Sequence, residues 1–500
     1  MGPSGSGKTT LLDILADRIS SGTIKGDIFL NGETRNINTF RAVSSYVAQE
    51  DALLGSFTVL ETLDMAARLT LPNRVSSISI LKRVQSVIDD MGLRVCEHTM
   101  VGDIFHKGIS GGQKRRLSIA IELLSDPSIL LLDEPTSGLD SASTFNVMKL
   151  ISRLAKEGRT IICTIHQPSS LVYDMFSNVV ILSAGETIFF GSRSKILDHF
   201  STLGYNCPQY RNPVEFFIDL VNTDFEGHGD IKKLVDGYAS SGVAVRIQSA
   251  ILTDAAGIHT TRSTILATSS PLQQFFVLFH RNLLNNLRNP GIYWVRLATY
   301  IMLSFMTGTM YLSTNTSLVA NDTVLLLTYV NIFLVFFSIA VLPFFIEQRA
   351  IFLRERVNSG LNVFSYVIAN FLGALPGIFL IALSSTALVG YLADLNSVGT
   401  FLTIVFLSLV VAENLMHLIS ACIPQFIIGM ALGAAIYGCF EAAIYNQFRD
   451  EESAQAKAVL VKFDMKNVDL NRDFAVLVAN AVAFEMLFTI VLYKFHTGRR

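Results

Sequence analysis

Gly2-Pro3-Ser4-Gly5-Ser6-Gly7-Lys8-Thr9 has the spacing G-x-x-x-x-G-K-T, a loop built to wrap a chain of phosphates. Glycines at Gly2, Gly5 and Gly7 let main-chain N–H groups turn inward, with Ser4 and Ser6 between them. A helix expected over Thr10–Ile19 aims its N-terminal dipole at the same anion, so Thr10 joins the candidates. Lys8 is placed to reach the β- and γ-phosphates, and the Thr9 hydroxyl to ligate Mg²⁺.

A second constellation lies at Ile129-Leu130-Leu131-Leu132-Asp133-Glu134, an apolar strand that ends in two carboxylates. Such a strand delivers Asp133 to a magnesium ion at the edge of a sheet. Glu134, next in line, is placed to orient or deprotonate an attacking water. Each feature alone has a plain alternative, a small-residue turn or a solvated acidic turn. Both in one domain favour the phosphate reading.

The elements that must position these groups alternate over residues 1 to about 200. β-branched runs such as Thr160–Ile165 alternate with helical patterns such as Ile80–Met91 and Ser141–Ala155. That order implies βαβ units around a largely parallel sheet. Residues 226–270 have weak periodicity and read as a linker. Pro271–Asn289 has apolar residues at helical spacing, among them Phe275, Phe276, Leu278, Phe279, Leu283 and Leu287, with Arg281 and Arg288 opposite. It reads as an amphipathic helix at a membrane surface or packed on the first domain.

Composition divides the chain of 500 residues in two. Half of it is hydrophobic and 16% is charged, against about 25% in soluble domains. Residues 1–270 hold 53 of the charged side chains and 271–500 hold 27. Between 297 and 346 the one charge is Asp322; from 357 to 448 there are Asp394, Glu413 and Glu441. This excludes a wholly soluble chain and a wholly membrane one. A net charge of −2 gives no basic surface for nucleic acid. The five cysteines form no CxxC and no cluster with histidine, so no zinc site or disulfide framework is expected.

Apolar stretches near 292–312, 324–345, 364–390, 400–422, 426–446 and 474–493 each approach the length of about 20 residues that crosses a bilayer. About six spans would return the C-terminus to the side of entry. Arg349, Arg354 and Arg356 after the second stretch and Lys494, Arg499 and Arg500 after the sixth mark the cytoplasmic side. The loop 313–323 has no Lys or Arg and carries two glycosylation sequons, as an outer loop would. Residues 447–473 disagree, since they would lie outside and yet hold five basic residues. Glu413, His417 and Glu485 fall within expected spans, where an ionisable group serves a cavity or bonds another helix.

At Ile109-Ser110-Gly111-Gly112-Gln113 the sequence resembles the signature of ATP-binding cassette (ABC) transporters. The other motifs of that family follow in order. Walker A matches 2–9, the Q-loop glutamine matches Gln49, and Walker B matches 129–134. The D-loop matches Ser137-Gly138-Leu139-Asp140, and the switch histidine matches His166 after Thr160–Ile165. Cassette first and membrane domain second is the order of the G subfamily, the White and breast-cancer-resistance type of half-transporter. Asn212–Val221 and Phe345–Arg356 are similar to stretches of that subfamily.

The resemblance implies an α/β P-loop ATPase cassette, with an incomplete N-terminal sheet, ahead of an all-α polytopic membrane domain of about six spans. The expected divisions are 1–225 for the nucleotide-binding domain, 226–270 for the linker, 271–290 for the connecting helix and 291–500 for the membrane domain. It further implies two cassettes closing on two ATP molecules. Ser110, Gly111, Gly112 and Gln113 would then serve the partner's ATP, Gln49 would touch both Mg²⁺ and the membrane domain, and Glu134 and His166 would act in hydrolysis. The implied cargo is a hydrophobic or amphipathic small molecule or a lipid, exported by a homo- or heterodimer with cassettes and termini in the cytoplasm. An ATP-binding regulatory subunit and an inactive fragment are the alternatives. The chain opens on the P-loop itself, so the family's preceding strands and adenine-stacking aromatic are expected to be missing. Residues are also expected to be deleted around Cys439.

Overall fold

The computed structural model describes residues 1–19, 22–103, 105–223, 228–256, 269–310, 325–330, 333, 337–395, 397–423 and 470–497. These fall into two units, one of Met1–Val101 with Gly108–Ser269, the other of Gly102–Lys107 with Ser270–Thr497.

In the first unit, helix α1 (Lys8–Leu15) leads out of the glycine-rich loop. It stops short of Ile19 because Asp17 takes a left-handed conformation (φ 58°), an ending that short polar residues tolerate. Strands β1 (Ser44–Val47), β2 (Ile129–Leu132) and β3 (Thr160–Cys163) form a parallel sheet in the order β1-β2-β3. Ser44 pairs with Ile129, and Ile129 with Thr160. Successive residues of a strand face opposite sides. Leu130 and Leu132 therefore join one core with Val59, Leu63 and Leu117, while Leu131 meets Leu12, Phe40 and Tyr46 on the other. The central strand is buried on both faces, which is why it reads as an unbroken apolar run.

Helix α2 (Gly111–Leu123) begins in a capping box: the Ser110 hydroxyl accepts from Gln113 N, and Gln113 Oε1 accepts from Ser110 N. Helix α3 (Ser141–Lys156) is capped by Asp140, whose carboxylate accepts from Ser143 N. The two helix starts press together. A Cβ on Gly112 would lie 2.9 Å from the Ser143 side chain, so only glycine fits.

An antiparallel hairpin of β4 (Asn178–Ser183) and β5 (Glu186–Ser192) supports the phosphate loop. Met1 bonds to Val180 and Leu182 of β4, and Gly185 N donates to Ser6 O. A Cβ on Gly2 would lie 2.2 Å from the Leu182 carbonyl oxygen. Within 226–270, read as a linker, helices occupy Ile231–Ala239 and Gly242–Ala256. Ile231, Leu234, Val235 and Tyr238 share a face and pack on the hairpin core, with Asp230 as the cap. The Gly-, Ser-, Thr- and Ala-rich residues around it hid that short stripe.

The second unit is helical: α4 (Pro271–Arg288), α5 (Trp294–Met310), α6 (Leu342–Asn358), α7 (Val363–Leu392), α8 (Val398–Cys422) and α9 (Leu470–Phe495). Of these, α7, α8 and α9 are long and apolar enough to cross a membrane. They coincide with three of the expected spans, and α5 with a fourth. The stretch 324–345 is described in part; 426–446, the sequons, 447–469 and Cys439 lie outside the described residues.

Helix α4 is two-sided, as its spacing predicts, and its polar side is the one turned into the unit. Its buried side is Gln274, Leu278, Arg281, Asn282 and Asn285, while Phe276 and Leu287 are exposed. Arg281 reaches Glu355 of α6 through two bonds of 2.5 and 3.0 Å, and Asn282 donates to Asn370 of α7. An outward apolar face suits a helix bordering lipid rather than water. Arg281→Met strands the Glu355 carboxylate without its counter-charge, a change expected to cost about 3–5 kcal/mol. Adding Glu355→Met should recover most of the lost melting temperature in the purified, detergent-solubilised protein; a double variant as unstable as the single one would show that the pair is not the cause.

Two of the three candidates within expected spans meet side-chain partners, with His417 Nδ1 left without a hydrogen bond among the described residues. Glu413 of α8 pairs with Arg296 of α5 at 3.0 Å, both side chains being buried. His417 stacks on Phe345, ring centroids 4.0 Å apart.

Candidate nucleotide site

The loop before α1 is held by its own lysine: Lys8 Nζ donates to the carbonyls of Gly2 (3.0 Å) and Pro3 (2.6 Å). Burial pushes the Lys8 ammonium below its ordinary range, and nearby Glu134 and Asp133 pull it back up. Ser6 is buried, and its hydroxyl has no hydrogen-bond partner among the described residues. An orphaned donor in a loop of inward amides is a fit for a phosphate oxygen. Ser4, Gly5 and Thr10 are exposed.

Thr9 Oγ1 donates to Asp133 Oδ1 at 3.0 Å, joining the end of the loop to the end of β2. Two hard oxygens in contact suit Mg²⁺, which takes few protein ligands and fills its shell with phosphate and water. No group of three His, Cys, Asp or Glu side chains forms a metal cage among the described residues. Thr164, just past β3, donates to the same Asp133 oxygen at 2.6 Å and accepts from Glu134 N at 2.8 Å. Glu134 itself sits at φ 43°, a conformation that costs a non-glycine residue energy and that this bond helps to hold. Gln49 Nε2 donates to Glu134 Oε2 at 3.0 Å. Lys8, Thr9, Gln49, Asp133 and Glu134, spread over 126 positions of sequence, thus form one cluster.

The remaining motif residues lie apart from that cluster. Among the described residues, no hydrogen bond joins Ser110–Gln113 or Asp140 to the phosphate loop; their side chains make the helix caps described above. His166 is half-buried two residues past Thr164, and its ring makes no hydrogen bond among the described residues.

Two residues central to this geometry were not singled out from the sequence. Thr164 was hidden inside a β-branched run. The other is Arg115 of α2, 2% exposed, which gathers three loops. Its guanidinium donates to the Ala48 and Gln49 carbonyls, to Asp51, and to the Asp133 and Pro135 carbonyls. The one available signal was a second arginine in Lys114-Arg115-Arg116, too common a pattern to stand out.

Thr164→Val removes both bonds while keeping the side chain's shape. A hydrogen bond to a charged group is worth about 1.5–3 kcal/mol, so turnover is expected to fall roughly ten- to hundredfold. Nucleotide affinity should change less. Single-turnover hydrolysis measured beside a binding titration would show this, and an affinity loss as large as the rate loss would contradict it.

Residues 1–137 match the ABC transporter family profile, 273–440 match the ABC-2 type transporter profile, and 166–234 match a second profile of that type. ABC transporter G family member 11 of Arabidopsis thaliana is 36% identical over 477 residues, covering 88% of this chain and 67% of the relative. The chain belongs to the ABC transporter G family. Member 13 of A. thaliana is 34% identical over 90% of the chain and 73% of its own length. Member 1 of Petunia hybrida is 36% identical over 87% and 71%. As a G family chain it is a membrane protein that binds ATP and couples its hydrolysis to transmembrane transport.

Proposed function

We propose that this G family chain is one half of a dimeric exporter for a hydrophobic or amphipathic small molecule or a lipid. The observation that carries the reading is the division of its motifs. Lys8, Thr9, Gln49, Asp133 and Glu134 meet within one chain, while Ser110–Gln113 and Asp140 cap helices and leave that cluster open. A second copy, or a related half, supplies the missing signature face.

In this reading the loop amides, Ser6 and Lys8 bind the phosphates of ATP. Thr9 and Asp133 hold Mg²⁺, with Gln49 beside them. When bound, the ion offsets charge on the phosphate oxygens. Glu134 takes the proton from the attacking water, and Gln49 and Thr164 fix where its carboxylate stands. His166 faces the terminal phosphate as the switch. Ser110 and the Gly111 and Gly112 amides, at the N-terminus of α2, donate to the partner's nucleotide, Gln113 holding Ser110 in place. The membrane domain has about six spans, with the cassette and both termini on the cytoplasmic side.

Mixed dimers test the arrangement. One chain carries Lys8→Ala and the other Ser110→Arg, so that one of the two composite sites keeps both of its faces intact. Turnover in the mixed dimer should exceed that of either doubly defective homodimer at least fivefold. Equal turnover in all three would exclude sites shared between chains. Uptake of fluorescent lipids and amphiphiles into inside-out vesicles, with and without ATP, identifies the cargo class.

A further inference from the structure

Helices α7, α8 and α9 enclose a groove of about 960 Å³, a size that accepts a drug-like molecule. Its walls are nearly all hydrocarbon, with Phe364 and Phe371 from α7, Phe406 and Val410 from α8, and Val482 and Ile490 from α9. One carboxyl group lies in this lining, that of Glu485. Both of its oxygens are buried, and neither has a hydrogen-bond partner among the described residues.

The neighbours leave it so. Thr489, one turn on, spends its hydroxyl on the Glu485 main-chain carbonyl at 2.8 Å. Lys494 also lines the groove but sits nine residues further along α9, about 13 Å by helical rise, outside ion-pair distance. The contrast with the other buried carboxylates of this unit is direct: Glu413 has Arg296 and Glu355 has Arg281. A carboxylate facing hydrocarbon without a counter-charge is costly, and a cation brought by a ligand relieves that cost.

We propose that this groove binds a lipophilic amine, its ammonium on Glu485 and its apolar body against the phenylalanines. A neutral lipid fills the walls but brings no charge to the carboxyl group; an anionic amphiphile brings the wrong one. The proposal rests on the reading of α7–α9 as spans. It does not require that the amine be the cargo, and binding is read without hydrolysis.

The test uses the intact transporter in lipid nanodiscs with two photoreactive probes of equal length, a diazirine-bearing dodecylamine and the matching dodecanol. The amine should label residues 470–495 at least tenfold more than the alcohol. On the unsubstituted protein, excess dodecylamine should abolish that labelling while dodecanoate leaves it within twofold. Glu485→Gln should bring amine labelling down to the alcohol's level, and Glu485→Asp should keep it within threefold, melting temperature serving as the folding check. Equal labelling by both probes, displacement by dodecanoate, or amine labelling that survives Glu485→Gln would overturn the site. ATP turnover in the same discs shows separately whether the transporter itself is competent.

Discussion

Glu134→Gln is expected to lower ATP turnover by about 10²–10⁴-fold, the contribution of a positioned general base. The substitution keeps size and shape. Its amide oxygen can still accept from Gln49 Nε2, now 3.0 Å from the carboxylate, and its main-chain N–H can still donate to Thr164. Nothing in the fold need change, so ATP should bind as before and remain uncleaved. Turnover and a nucleotide-binding titration on the same preparation separate the two effects. Hydrolysis within threefold of the unsubstituted protein would mean that another group takes the proton.

Arg115→Met is expected to have the largest effect on folding of the first unit. The guanidinium is buried and donates to four carbonyls and one carboxylate, with distances from 2.7 to 3.3 Å. Removing it leaves Asp51 without its cation and several carbonyls dry. Breaking such a buried pair from one side costs about 3–5 kcal/mol. Arg115→Lys should rescue little, because an ammonium carries three donors on a point charge and cannot fan out to five acceptors. Thermal melting of the purified transporter measures the loss. A shift no larger than that of an exposed arginine, such as Arg94, would contradict the assignment.

The residues proposed to hold phosphate and metal were readable in the sequence because their chemistry is local. A P-loop needs its glycines, Lys8 and Thr9 within eight positions, and Asp133 and Glu134 announce themselves at the end of an apolar run. The groups that align them were not readable. Arg115 acts on carbonyls 67 and 66 residues away, and main-chain oxygens leave no mark on residue type. Thr164 looks like any β-branched strand residue. In the second unit the two sides of α4 were readable, with Arg281 opposite the phenylalanines, but the partners of its polar side, Glu355 and Asn370, were not. Glu413 and Glu485 are alike in the sequence, each an acid in an apolar run. Which one finds an arginine depends on helix neighbours that the chain alone does not declare.

The pairing of Arg296 with Glu413 also bears on biogenesis. The two residues are 117 positions apart, so α5 leaves the ribosome with its arginine long before the matching acid has been made. During that interval Arg296 must be held near the bilayer surface or by the insertion machinery, and α5 settles when α8 arrives. A chain released at residue 397 should leave a cysteine placed next to Arg296 open to a water-soluble thiol reagent, whereas one released past 423 should protect it.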